Sequence, residues 1–283
     1  MKKIAISAET TIDVPKEILK EYDIHVIPFH VLLGERDAPD GEITPQDIFE
    51  YVDKTGILPK TSAVNEFQYK EYFTELKKKY DVIIHVSLSS KISSSCENAQ
   101  RVAEKMDGVY VIDSHSLSTG IALLCIYARQ LADEGKDPEE IVKLVEERKK
   151  SLQVSFVVNT MAYLYKGGRC TGLQKFAGAL FRIKPQILVK DGAMAPGKRY
   201  HGRNTPVVRN YCLDTLEEFN NPDLSLVFVT HSHATEEMAQ EAIRILKERG
   251  FKKIIETTAA ATITSHCGPK TLGILYINDG GKK

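Results

Sequence analysis

The residues best able to do chemistry stand in four clusters. The first is Ser87-Leu88-Ser89-Ser90-Lys91-Ile92-Ser93-Ser94-Ser95, which follows an apolar run and opens a helix-like stretch. Loops at the carboxyl ends of parallel strands are where such sheets bind ligands. A helix N-terminus adds free N–H groups and the positive end of a dipole, so it accepts an anion. Serine hydroxyls supply donors without charge. One lysine and no arginine fork suit a monoanion such as a carboxylate better than a dianionic phosphate. The plainer alternative is a serine-rich helix cap with no ligand. The second cluster, Pro59-Lys60-Thr61-Ser62, precedes a helix that begins near Asn65. Thr61 and Ser62 could cap that helix, or reach the same anion from a second loop.

The third cluster is Ser265-His266-Cys267-Gly268-Pro269, just before the last strand-like run. A lone histidine beside Gly-Pro reads as a turn residue. With Ser93 it could instead form a nucleophile and base pair. No G-x-S-x-G elbow accompanies it, and no carboxylate is evidently placed to orient the ring. The fourth is Lys166-Gly167-Gly168-Arg169, followed by Lys175 and Arg182 on a helix-like stretch. Paired glycines let backbone approach a partner or bend sharply. The charges could be a solvated face or a docking patch. Cys96, Cys125, Cys170, Cys212 and Cys267 are scattered and never spaced C-x-x-C, so no metal site is expected. His231-Ser232-His233 is a weak metal signal. Neither the dinucleotide nor the P-loop fingerprint is present, and no cofactor is expected.

These clusters are spaced by alternating strand-like and helix-like segments. Ile4 to Ser7, Asp81 to Leu88 and Val109 to Ile112 read as strands. Helices are expected from about Ser94 to Met106, from Leu117 to Glu134, and after Asp137-Pro138, where an N-cap, a first-turn proline and acids coincide. Beyond the charged run Glu146 to Lys150, strands are expected at Val154 to Val158, Gln186 to Lys190, Leu224 to Thr230, Lys253 to Thr258 and Leu272 to Ile277. A helix over Glu236 to Arg249 stops at Gly250. The alternation implies two α/β domains, over residues 1–152 and 153–283, with a mainly parallel sheet flanked by helices in the N-terminal one.

The chain has 283 residues, long enough for one large domain or two moderate ones. Lysine plus arginine and aspartate plus glutamate each number 38, so no global attraction to nucleic acid is expected. The 42% hydrophobic content argues against disorder. The longest apolar run, Ile121 to Ala128, is too short to span a bilayer, so no stable membrane insertion is expected. No signal-peptide core follows Met1-Lys2-Lys3, and a cytoplasmic, monomeric protein is expected.

Taken in order, the motifs resemble the bacterial DegV family, which includes the FakB fatty-acid-binding subunits. Glu9-Thr10-Thr11-Ile12-Asp13-Val14-Pro15 resembles D-S-T-A-D-L-P, and Asp40-Gly41 resembles Y-x-D-G. Lys60-Thr61-Ser62 resembles K-T-S-Q-P-S, and Ser89 to Ser95 resembles S-S-K-L-S-G-T. Asn159-Thr160, Tyr163-Leu164 and Gly167-Gly168-Arg169 resemble D-T-L-E-Y-L-x-x-G-G-R. Ile183-Lys184-Pro185 and Asp191-Gly192 follow, and His266-Cys267-Gly268-Pro269 resembles H-x-G-P. Glu9, Ser94, Ser95 and His201-Gly202-Arg203 depart from the usual pattern.

The resemblance implies two α/β domains with a palmitate-like, long-chain fatty acid held inside or between them. It implies that Thr61 and Ser93, with Ser62 and Ser94 beside them, hold the carboxylate near His266. It further implies presentation of the acid to a separate fatty acid kinase, which makes an acyl phosphate for phospholipid synthesis. Lys166, Arg169 and Arg182 are the expected docking residues, and the chain itself has no catalytic residue. A lipid-sensing regulator and a Ser93/His266 hydrolase are the alternatives.

Overall fold

The computed structural model describes residues 2–170 and 183–282. β1 (Ile4–Glu9) is buried along its whole length. It runs into a single 3-10 turn at Thr10–Ile12 that ends on Asp13. α1 (Lys16–Glu21) and β2 (Ile24–Ile27) follow, then the short strands β3 (His30–Leu33) and β4 (Arg36–Pro39). α2 (Pro45–Thr55) is delimited by its own residues. Thr44 and Asp47 form a reciprocal capping box, Pro45 starts the helix, and Gly56 ends it with a φ of 69°. β5 (Lys60–Ser62) leads to α3 (Glu66–Lys77), which Asn65 and Gln68 cap in the same way.

β6 (Val82–Ser87), α4 (Ser95–Ala103), β7 (Val109–Asp113), α5 (Thr119–Asp133) and α6 (Pro138–Arg148) complete the first half. Its four-stranded sheet has the order β2-β1-β6-β7, and every pair is parallel. The chain leaves β1 in one direction to β2 and crosses later to β6 on the other side. The carboxyl ends of β1 and β6 therefore flank the switch point where open α/β sheets leave a crevice. β3, β4 and β5 form a separate antiparallel sheet.

The second half opens with β8 (Leu152–Val157) and α7 (Ala162–Gly167). β9 (Lys184–Lys190), β10 (Ala193–Tyr200), α8 (Asn204–Glu218) and β11 (Leu226–Ser232) follow. α9 (Glu236–Arg249), β12 (Lys253–Thr258), α10 (Ala261–Cys267) and β13 (Thr271–Ile277) end it. The sheet order is β10-β9-β8-β13-β11-β12, and only β11 and β12 pair in parallel. The mainly parallel sheet expected for the N-terminal half is thus observed, and the second sheet is mainly antiparallel. Asp191 and Gly192, both at positive φ, turn β9 tightly into β10, and β13 inserts between β8 and β11. Strand order of that kind is set by long-range pairing, which local periodicity does not report.

The six-stranded sheet is covered on both faces. Leu272, Ile274 and Tyr276 of β13 pack with α8 and α9 residues in one core. Phe156, Phe228 and Leu275 face the other way, into a larger core shared with β1, β6 and α5. That core runs without a break across position 152. α5, apolar on most sides, is its centre, with eleven of its fifteen residues buried. No helix among the described residues is long and apolar enough to cross a membrane.

Candidate functional site

A cavity of about 360 Å³ lies between the crevice of the first sheet and the inward face of the second. The volume falls within the range of small-molecule sites, about 300–1,000 Å³. Phe29, Leu88, Leu117, Phe156, Met194 and Leu275 supply apolar wall. Thr61, Ser93, Ser94, Arg169 and His266 also line it. The sequence-expected head-group residues Thr61, Ser93, Ser94 and His266, which span more than 200 positions, are thus brought to one place.

The polar groups of the cavity differ by depth. Most buried hydroxyls along its wall are committed to protein partners, Thr262 Oγ1 being an exception. Ser118 Oγ donates to Asp13 Oδ2 (2.5 Å), and Thr230 Oγ1 bonds both Thr119 (2.6 Å) and Thr257 (3.0 Å). Ser232 Oγ donates to Thr264 Oγ1 and Thr271 Oγ1 to the Cys267 carbonyl. At the more exposed rim, donors remain. Ser93 Oγ accepts from Ser95 N (3.2 Å) and keeps its own O–H, and Ser94 Oγ has no hydrogen-bond partner among the described residues. The guanidinium of Arg169 folds back to donate to the Gly167 carbonyl (2.6 Å), leaving its other N–H groups at the opening.

His266 lies in the last turn of α10, not in the turn that Gly-Pro suggests. Its Nε2 is 2.8 Å from Thr61 Oγ1, while Nδ1 is buried without a partner. Burial, and secondarily the positive charge of Arg169, depress the imidazole to about 4, so the ring is neutral near pH 7. The ring packs on Gly167, where an added Cβ would sit 2.8 Å from Nδ1. Gly168 takes the left-handed conformation that ends α7. The paired glycines therefore do both things expected of them, a close approach and a sharp bend. Nε2 pairs with Thr61, not with Ser93, and among the described residues no carboxylate bonds the ring, so the nucleophile and base geometry is not assembled there.

The serine loop is held from below by Glu9, at the carboxyl end of β1. Its carboxylate accepts from Leu88 N (3.0 Å), Tyr69 Oη (2.6 Å), Ser87 Oγ (2.5 Å) and Ser95 Oγ (3.2 Å). The imidazole of His85 stands 3.4 Å away. Burial alone would raise Glu9, but His85 and the hydroxyl donors outweigh it and bring the carboxyl to about 2. Asp13 and Asp40 meet the start of α10. Asp13 Oδ1 accepts from Ala260 N (2.8 Å), and Asp40 accepts from Ala261 N (2.9 Å) and Thr262 N (3.1 Å).

Other expected residues lie elsewhere. Ser62 is exposed on the opposite face of β5 from Thr61 and does not line the cavity. Neither residue caps α3, because Asn65 does. Lys166 is exposed on α7 and does not line the cavity either. Arg182 and Lys175 lie outside the described residues. Arg169, expected to dock a partner, stands on the cavity rim. Asp13, Asp40 and Glu9 carry no local sequence signal for these contacts, because every partner named above lies far away in the chain. No group of three or more histidine, cysteine or acidic side chains is arranged to hold a metal among the described residues.

Fold and site together define an α/β protein built around a largely apolar cavity with hydrogen-bond donors at one rim. The chain belongs to the DegV family, whose model matches residues 3–279. A fatty acid-binding protein of Thermotoga maritima is 29% identical over 281 residues, covering 96% of each chain. The structure of a fatty acid-binding DegV family protein from Thermus thermophilus has a TM-score of 0.90 and 25% identity. That match covers 98% of this chain and all of the other. A stearic acid-binding protein from Eubacterium ventriosum gives 0.82 and 25%, covering 98% of both.

Proposed function

We propose that this chain binds a long-chain fatty acid with its carboxylate at the Thr61/Ser93/Arg169 rim and its tail in the cavity, and presents it to a separate fatty acid kinase. The observation that carries this reading is the division of polar groups, with most hydroxyls of the buried wall spent on protein partners and donors available at the rim. An amphipathic anion satisfies both regions in one orientation. A neutral His266 with its proton on Nε2 donates to Thr61 Oγ1, which frees the Thr61 O–H to donate to the carboxylate. Ser93 and Ser94 add two hydroxyls, and Arg169 adds the compensating charge. Burying about 14 methylenes yields roughly 11 kcal/mol gross, from which the costs of association and ordering subtract. The tail thus supplies affinity and the rim sets orientation.

A carboxylate at an exposed rim is within reach of a phosphoryl-transfer enzyme, which supports the presenting role. The pairing of His266 with Thr61, and the absence of an orienting acid among the described residues, favour a carrier over a hydrolase. Native mass spectrometry of the purified protein, followed by organic extraction, tests ligand binding. The expected result is an added mass matching a fatty acid, released on denaturation. An apo mass that added palmitate leaves unchanged would refute binding. Acyl phosphate formation from ATP with the kinase, dependent on this chain, tests presentation, and a rate independent of it would refute that part.

A further inference from the structure

We propose that Asp13 and Asp40 are positioning residues that hold α10, and through it His266, against the head-group rim. α10 has seven residues and starts from Ala260, which carries no capping side chain. A helix so short has little stability of its own, and its first N–H groups need acceptors. Three of them, on Ala260, Ala261 and Thr262, are taken by two carboxylates more than 200 positions earlier in the chain. Those carboxylates are themselves fixed. Asp13 adopts a left-handed backbone with φ 55° and receives the Ser118 hydroxyl. Asp40 N donates to the Phe29 carbonyl (2.7 Å).

The far end of the same helix returns to the first half through His266 and Thr61. Thr262 and His266 are four residues apart, on one face of the helix. Each residue of slip along the axis moves the ring about 1.5 Å, enough to break a 2.8 Å bond to Thr61. α10 is thus strapped at both ends to elements of the first half, although in sequence it connects two strands of the second sheet, β12 and β13. Buried carboxylates also face the positive end of the helix dipole, which reinforces the grip.

The two aspartates differ in a testable way. Both oxygens of Asp40 accept backbone N–H groups, so Asp40→Asn sets an NH2 against an N–H. Asp13 accepts one N–H and one hydroxyl, and Ser118 can turn to accept from an amide, so Asp13→Asn preserves the geometry. The readout is the ring ¹⁵N–¹H spectrum of His266 in the ligand-free protein, assigned by His266→Gln, with palmitate affinity measured in parallel. Expected are a shifted His266 signal and about tenfold weaker palmitate binding in Asp40→Asn and in Asp13→Ala, with the conservative Asp13→Asn, which keeps the acceptor for Ala260 N, rescuing the parent signal. Where Asp40→Ala does not fold, Asp40→Asn and Asp40→Glu carry the comparison. A His266 signal unchanged in folded Asp40→Asn, or unchanged in folded Asp13→Ala, would overturn the proposal. The effect on affinity rests on the fatty-acid reading, whereas the ring signal does not. Palmitate failing to bind the parent protein while the signal shifts would sink that reading and leave this one standing.

Discussion

Replacing Thr61 with valine removes one hydroxyl at the rim and keeps almost the same shape. In the free protein the bond to His266 Nε2 is lost and a half-buried ring nitrogen goes unpaired, a cost of about 1–3 kcal/mol. In the complex the ligand carboxylate loses one donor. A hydrogen bond to a charged group is worth about 1.5–3 kcal/mol, which corresponds to roughly 10- to 100-fold in Kd at 1.4 kcal/mol per tenfold. The tail contacts are untouched, so binding weakens without vanishing. Isothermal titration with palmitate measures the change directly. A fatty alcohol of equal length, lacking the charge, isolates it, because the valine variant should lose much less affinity for the alcohol. Palmitate binding within twofold of the parent protein, in a variant that stays folded, would refute the head-group assignment.

Gly167→Ala places a Cβ 2.8 Å from His266 Nδ1. It should displace the ring and weaken palmitate binding about tenfold, read by the same titration. The neutral ring of His266, depressed from 6.5 to about 4, contributes stability that is complete above about pH 6.5. The contribution falls by about 3 kcal/mol as pH drops toward 4, because the unfolded chain binds the proton first. Asp13 and Asp40, both raised chiefly by burial, act in the opposite sense. The contribution is therefore isolated by comparing urea denaturation of the parent and His266→Gln across that range, and parallel curves would contradict it. Glu9 is depressed from 4.5 to about 2, so its contribution is present above pH 4.5 and lost as pH falls toward 2. Glu9→Gln should cost most stability near neutrality and progressively less in acid, and a cost independent of pH would contradict the paired carboxylate.

The candidate site was legible where its residues carry local signals. Serines after an apolar strand announced a loop at a sheet's carboxyl edge, and Ser93 and Ser94 are found there. The helix over Glu236 to Arg249 was readable from its period and terminal glycine. The turn assignment of His266 failed because α10 has no cap of its own in sequence. Its acceptors, Asp13 and Asp40, come from the other half of the chain. The cap reading of Thr61 failed because an edge-strand position in a three-stranded sheet depends on β3, to which β5 pairs only in the folded molecule. That pairing also turns Thr61 inward and Ser62 outward.

By itself the sequence determined the α/β character, the parallel first sheet, most helix limits and the chemical types available for an anion. Each follows from neighbours within a few residues, where periodicity, capping and turn chemistry act. The tertiary structure alone decided that the second sheet is mainly antiparallel, that Arg169 stands on the cavity rim, and that Glu9 supports the serine loop. It also decided which hydroxyls are spent and which remain. Those outcomes depend on partners brought together from distant positions, and a hydroxyl's availability is a property of its surroundings, not of its residue type.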